Sequence, residues 1–325
     1  MYSQQFFMNY VKSFQHKLRL IRTLSLFFFF TIAHWACESV IGAKLGFGET
    51  RMFASRTEVD LLYQSKDGIV LSGTLYLPPG DGPFPAIVAH YGSDRWTRSP
   101  YSGFVRLFTD KGIAILSYDK RGVGKSGGEC CPFRDEGYFN LLAEDVLAGV
   151  RMISKHPSIN FAQVGLWGFS QGGWVIPVVA ASAPEEIAFT IIGSGPAVTL
   201  GETLAYSDIT GGARCENSGL TKQEIEQRFS QVSPYLFDPT PYLEQMQCPG
   251  LWMYAKDDAL VPVERSLNTL NRIKQDGAKD WTIEVFEGVN HVFIPNAGPC
   301  VSGLPATTLS EQAVYDFLLT RLNLE

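Results

Sequence analysis

Short apolar runs and amphipathic stretches alternate along the chain from Thr57 onward. Glu58–Gln64 and Val70–Leu77 read as two β-rich segments joined by a turn at Lys66-Asp67-Gly68, an antiparallel pair. Pro85-Ala-Ile-Val-Ala-His-Tyr91 and Gly112-Ile-Ala-Ile-Leu-Ser-Tyr118 are unbroken apolar runs, as expected of strands covered on both faces. Helices are predicted near Gly103–Lys111, over Tyr138–Lys155, from Gln171 to Ala183, after Pro262 and over Ser310–Leu322. Further strands are predicted at Val164–Trp167, Ala188–Ile192, Leu251–Tyr254 and Thr282–Phe286. This alternation builds a mostly parallel sheet with helices on both faces. Pro196–Cys248 interrupts it. That stretch has one clear helix, opened by the capping-box pattern Thr221-Lys-Gln-Glu224, and is long for a connection. It reads as a small cap insertion over a site, at about residues 196–248 of a domain spanning 44–325.

The first 43 residues differ in character. Lys12, Lys17, Arg19 and Arg22 precede an apolar run, Leu24–Ala36, and the small residues Ala36, Gly42 and Ala43 follow. This is the layout of an export signal, implying a periplasmic or secreted protein. A membrane anchor is the competing reading, but the run is shorter than the ~20 residues needed to span a bilayer. Contact with a membrane is expected only through this segment. The net charge of −6, with no basic run interleaved with aromatics, argues against nucleic-acid binding. The six cysteines show no C-x-x-C spacing and no His completes a zinc set, so no metal is expected. Six cysteines allow fifteen pairings; Cys215 and Cys248, which bracket the insertion, are one candidate pair.

Two segments match G-x-S-x-G, Gly124-Lys-Ser126-Gly-Gly128 and Gly168-Phe-Ser170-Gln-Gly172. The chemistry needs a buried strand entering a tight turn that a helix leaves at once, because that turn thrusts the hydroxyl outward. Ser170 has this setting, whereas Ser126 runs into a Gly- and Pro-containing loop. Gly124-Lys125-Ser126 is not a P-loop either, since Asp119 stands where its first Gly is required. A serine hydroxyl needs an imidazole to take its proton and a carboxylate to orient that imidazole. His291 is the only histidine after Ser170. Asp257 and Asp258 both follow the strand Leu251–Tyr254, and Asp258 is the expected acid, its neighbour being solvated or capping the next helix. The oxyanion donors are expected to be the backbone N–H of Gln171 and one from the loop after Pro85–Tyr91, with Ser93 first choice and Tyr91 second.

Together, Asp67-Gly68 to Leu77-Pro78, Tyr118-Asp-Lys-Arg-Gly-Val-Gly-Lys-Ser-Gly127, Gly165-Leu-Trp-Gly-Phe-Ser-Gln-Gly-Gly173, Asp258-Ala-Leu-Val-Pro262 and Asn290-His291 carry a resemblance. From about Thr57 to the C-terminus the chain resembles the α/β-hydrolase superfamily. Within it, the chain is similar to the prolyl-oligopeptidase-like and thioesterase-like serine hydrolases that include bacterial carboxylesterases. The resemblance implies Asp258 as the triad acid and a bracing, structural role for Asp119 and Arg121. One departure is that relatives usually carry His-Gly after the third strand, where this chain has His90-Tyr91-Gly92. The expected activity is hydrolysis of a small acyl ester through Ser170, His291 and Asp258 with no cofactor. The alternatives are an aminopeptidase or acyl-thioester hydrolase using the same residues, and a catalytically silent binding protein.

Overall fold

The computed structural model describes residues 44–98, 102–132, 136–298 and 308–322, so the expected export segment and its cysteine, Cys37, lie outside the described residues. The strands are β1 (Gly46–Phe53), β2 (Arg56–Gln64), β3 (Val70–Leu77), β4 (Phe84–His90), β5 (Ala114–Tyr118), β6 (Ile159–Phe169), β7 (Thr190–Gly193), β8 (Gly250–Ala255) and β9 (Trp281–Phe286). They form one sheet in the order β1-β2-β3-β5-β4-β6-β7-β8-β9. β1, β2, β3 and β5 pair antiparallel, and every pairing from β5 to β9 is parallel. This is the α/β-hydrolase architecture.

The helices are α1 (Ser102–Thr109), α2 (Glu136–Ile153), α3 (Gly172–Ser182), α4 (Leu200–Thr210), α5 (Lys222–Phe229), α6 (Thr240–Gln245), α7 (Val263–Gly277) and α8 (Thr308–Leu322). Strand residues alternate between two cores. Ala86 and Val88 of β4, Leu116 of β5, and Trp252 and Tyr254 of β8 pack on the side of α2, α3, α6 and α7. Ile87 and Ala89, Ile115, Leu251 and Met253 pack on the side of α1 and α8. Covering both faces is what makes these strands read as unbroken apolar runs. Each large side chain so buried contributes roughly 2 kcal/mol.

α3 lies deepest, with Gly172 through Ala180 all buried. Gly173 makes that possible, because a Cβ there would stand 2.5 Å from the Gly195 carbonyl carbon and 2.6 Å from Pro196 N. The 196–248 stretch holds three α-helices and a short 3₁₀ helix, Gly212–Arg214, rather than the one helix expected. α4 and α5 each begin with a complete capping box, Thr199 with Glu202 and Thr221 with Glu224. The ends of the stretch are part of the main core, through Leu200, Phe237, Leu243, Met246 and Cys248. Cys248 is a free buried thiol, pushed up to about 11 by burial, while Cys215 is disulfide-bonded; the two are not partners. Cys130 is bonded to Cys131.

Candidate active site

Ser170 stands between the last residue of β6 and the first turn of α3, at φ +52°. A non-glycine residue in the left-handed region is strained, and a strand-to-helix elbow is where such strain presents a nucleophile. Its N–H donates to Gly193 O of β7 at 2.9 Å, fixing the turn against the next strand. Gly168, two residues before it, leaves room for α3, since a Cβ there would stand 2.5 Å from Ile176 Cγ1. The competing motif is structural: Ser126 Oγ donates to Asp119 O at 2.5 Å and accepts from Ser72 N at 3.0 Å, closing a buried loop. Asp119 accepts from the N–H groups of Arg98 and Lys125. Arg121 forms a two-pronged pair with buried Asp145 at 2.7 and 2.6 Å and also reaches Asp67.

His291 and Asp258 meet as expected. His291 Nδ1 lies 2.6 Å from Asp258 Oδ2, with both residues buried. A carboxylate only accepts, so Nδ1 carries the proton and Nε2 of the neutral ring is left as an acceptor. Asp258 is itself held, its Oδ1 accepting from Leu260 N at 2.8 Å and Val261 N at 3.3 Å. Asp257 points away and pairs with Lys222 at 2.7 Å on the surface. Asn290 shapes the histidine loop by accepting from Val292 N and Ile294 N. Ser194 Oγ then donates to His291 O at 2.7 Å, which ties this loop to the chain just beyond Gly193. The Phe169 ring lies edge-on to the His291 ring at 5.2 Å. Ser170 and His291 are thus brought to the same end of β7, but among the described residues no hydrogen bond joins the Ser170 hydroxyl to the imidazole. A cleft of about 790 Å³ opens against Asp258 and His291, walled by Tyr206, Ile225 and Phe229 from the 196–248 stretch; Ser170 does not line it.

The loop after β4 brings Gly92 nearest the elbow, where a Cβ would lie 3.5 Å from Ser170 Cβ. Ser93 is exposed. Tyr91 turns its ring into a cluster with Trp96, Phe104 and Trp167, its hydroxyl 3.2 Å from Ser117 Oγ. His90 is buried under the loop with Nδ1 2.8 Å from Tyr118 OH, and burial together with the Lys120 charge holds it neutral. Sequence reasoning missed Lys120 itself. Its Nζ lies 2.7 Å from Gly92 O and 2.6 Å from Gln171 Oε1, and burial pulls the amino group down to about 7 against the opposing charge of Asp94. A lysine between Asp119 and Arg121 reads as a solvated loop charge, and only its place beside the Gly-rich turn hinted otherwise.

A model of the prolyl oligopeptidase family matches residues 100–302, well over half of the chain. The chain belongs to that family. The prolyl oligopeptidase family is a family of serine hydrolases, and the chain spans less than half the length of most of the curated relatives it matches. Esterase FrsA of Enterobacter sp. (strain 638) is 32% identical over 105 residues, which cover 32% of this chain and 24% of FrsA. A polyketide transferase of Penicillium sp. is 30% identical over 132 residues, 41% of this chain; the match spans 43% of that relative's length. Among solved structures, the Pyrococcus furiosus esterase Pf2001 aligns with a TM-score of 0.58 at 20% identity, covering 86% of this chain and 98% of that one. Acetyl xylan esterase from Paenibacillus sp. R4 aligns with a TM-score of 0.61 at 17% identity, covering 86% and 89%. These structural likenesses establish the shared fold.

Proposed function

We propose that the protein is a carboxylic-ester hydrolase working through a Ser170–His291–Asp258 triad. The observation that carries this reading is the buried 2.6 Å contact between His291 and Asp258, in a loop tied to the strand end beside Ser170. Ser170 Oγ attacks the ester carbonyl while His291 Nε2 takes its proton. His291 then returns that proton to the leaving alcohol, giving an acyl-enzyme, and Asp258 holds the imidazolium. A water activated by the same nitrogen releases the acid and restores the serine. The oxyanion is held by the Gln171 N–H, at the start of α3, and by an N–H of the Tyr91–Ser93 loop, which Gly92 brings against Ser170. Serine–histidine hydrogen bonds of this kind commonly tighten around bound substrate. The 196–248 stretch acts as a cap over the His291 and Asp258 side of the site, where Tyr206, Ile225 and Phe229 wall the cleft. The N-terminal segment directs export, which N-terminal sequencing of the mature protein tests by finding a start near residues 37–44.

An acyl-thioester substrate is the second reading. Thiohydrolase aneE of Aspergillus aculeatus, 30% identical over 118 residues, favours it. Comparing kcat/KM for p-nitrophenyl esters, acyl-CoA thioesters and aminoacyl amides separates the substrate classes. Fluorophosphonate labelling of Ser170, lost in Ser170→Ala together with turnover, tests the mechanism. Full turnover in Ser170→Ala would reject it.

A further inference from the structure

Lys120 has no part in the mechanism above, yet it is buried beneath both walls of the oxyanion site. Its Nζ donates to Gly92 O at 2.7 Å, to Gln171 Oε1 at 2.6 Å and to Asp94 O at 3.4 Å. All three partners are neutral oxygens, and among the described residues no carboxylate stands within ion-pair distance of it. A lysine amino group is costly to bury without a counter-ion, so simple loop closure is a poor reason for one here. Its contacts instead join two particular segments. Gln171 is the residue after the nucleophile, and its amide nitrogen, with His90 Nε2, is buried without a hydrogen bond of good geometry. Gly92 O belongs to the same planar peptide as Ser93 N–H. In a trans peptide the two point in opposite directions, so a carbonyl held down on Nζ turns the Ser93 N–H outward from the buried layer. Polarising that carbonyl also makes the N–H a better donor.

We propose that Lys120 is a positioning residue that sets the oxyanion hole by clamping the Gly92–Ser93 peptide to the Gln171 elbow. The inference rests on the reading of Ser170 as an ester-hydrolysing nucleophile. A clamp on transition-state donors affects the chemical step and leaves ground-state binding nearly alone.

The test is steady-state hydrolysis of p-nitrophenyl acetate by the full chain carrying Lys120→Met, which keeps length and apolar stem but removes the donor. The expected result is a fall in kcat of about 100-fold with KM changed by less than threefold. The rate of fluorophosphonate labelling should fall in parallel, because the phosphonyl oxygen occupies the same hole. Gln171→Met, which removes the second acceptor, should give a smaller loss, and the double variant should be no worse than Lys120→Met alone. Where Lys120→Met does not fold, judged by its melting curve, Lys120→Arg and Gln171→Met carry the test, each expected to lower kcat at near-constant KM. A kcat within threefold of the parent in the folded variants, or a change confined to KM, overturns the proposal. A parent protein that neither hydrolyses the ester nor labels at Ser170 would instead refute the underlying reading, and the clamp with it.

Discussion

Replacing Asp258 by Asn isolates the proton path from its scaffold. Asp258 divides its work between two oxygens: Oδ1 accepts from the N–H groups of Leu260 and Val261, and Oδ2 receives the His291 Nδ1 proton. The two backbone donors keep the amide oxygen of an asparagine on their side, so its NH2 group occupies the former Oδ2 position. Nδ1 of His291 then faces a donor and must offer a lone pair. The ring proton moves to Nε2, and the atom that should take the serine proton already carries one. The same change of tautomer in a serine-protease triad lowers kcat by about 10⁴-fold, equivalent to ~5.5 kcal/mol of transition-state stabilisation. The expectation for Asp258→Asn is a 10³- to 10⁴-fold fall in kcat for p-nitrophenyl acetate. KM should hardly move, and the melting temperature should stay within a few degrees because the Leu260 and Val261 contacts survive. Asp257→Asn is the matched control: its side chain is exposed and pairs with Lys222 on the surface, and activity should stay within twofold. A kcat within tenfold of the parent for Asp258→Asn would show that the contact does not govern the protonation of His291.

Arg121→Ala leaves Asp145 buried without its two-pronged partner and should cost about 3 to 5 kcal/mol in denaturant unfolding; a loss under ~1 kcal/mol would contradict the bracing role. Gly173→Ala pushes a methyl group into the Gly195–Pro196 backbone and should destabilise by about 2 kcal/mol or more, whereas a neutral outcome would refute the close packing of α3. Asp60 is held down to about 2, chiefly by the hydrogen bond from Arg51 and secondarily by Thr74, against the effect of burial. Its stabilisation is therefore fully present above its ordinary carboxylate value near 4 and is lost as pH falls through 2. The stability gap between the parent and Asp60→Asn should narrow between pH 5 and pH 2.5, and a gap independent of pH would refute the assignment.

What the sequence disclosed and what it hid divide along physical lines. Strands buried on both faces, such as β4, β5 and β8, announce themselves as apolar runs, and the elbow at Ser170 follows from a strand and helix meeting with no linker. Spacing alone did not separate Asp258 from Asp257, because neighbouring loop residues point different ways without saying which one turns inward; the resemblance of Asp258-Ala-Leu-Val-Pro262 to the family's motif supplied the choice. β1 was not legible: it is an edge strand, and most of its side chains, Met52 among them, face solvent. α4 was missed for the opposite reason. It is wrapped by the core and the rest of its stretch, so its sequence, Leu200-Gly-Glu-Thr-Leu-Ala-Tyr-Ser-Asp-Ile-Thr210, shows little polar–apolar contrast. Its capping pair, Thr199 and Glu202, was nevertheless a readable signal, the same spacing as Thr221 and Glu224. Lys120 lay beyond reach because nothing local to Asp119–Arg121 shows which distant carbonyls will close over it.

The chain leaves the working rim at the end of β7 and rejoins the sheet at the far end of β8, having dipped back into the main core at Phe237. Residues 211–235 between these anchoring points form an awning, fastened by disulfide-bonded Cys215, by buried Phe229 with its carbonyl on Arg265, and by the Lys222–Asp257 pair. Exchanging that awning for one of another length or polarity would reshape the cleft wall that Ile225 and Phe229 supply, while the strands and the elbow keep packing of their own.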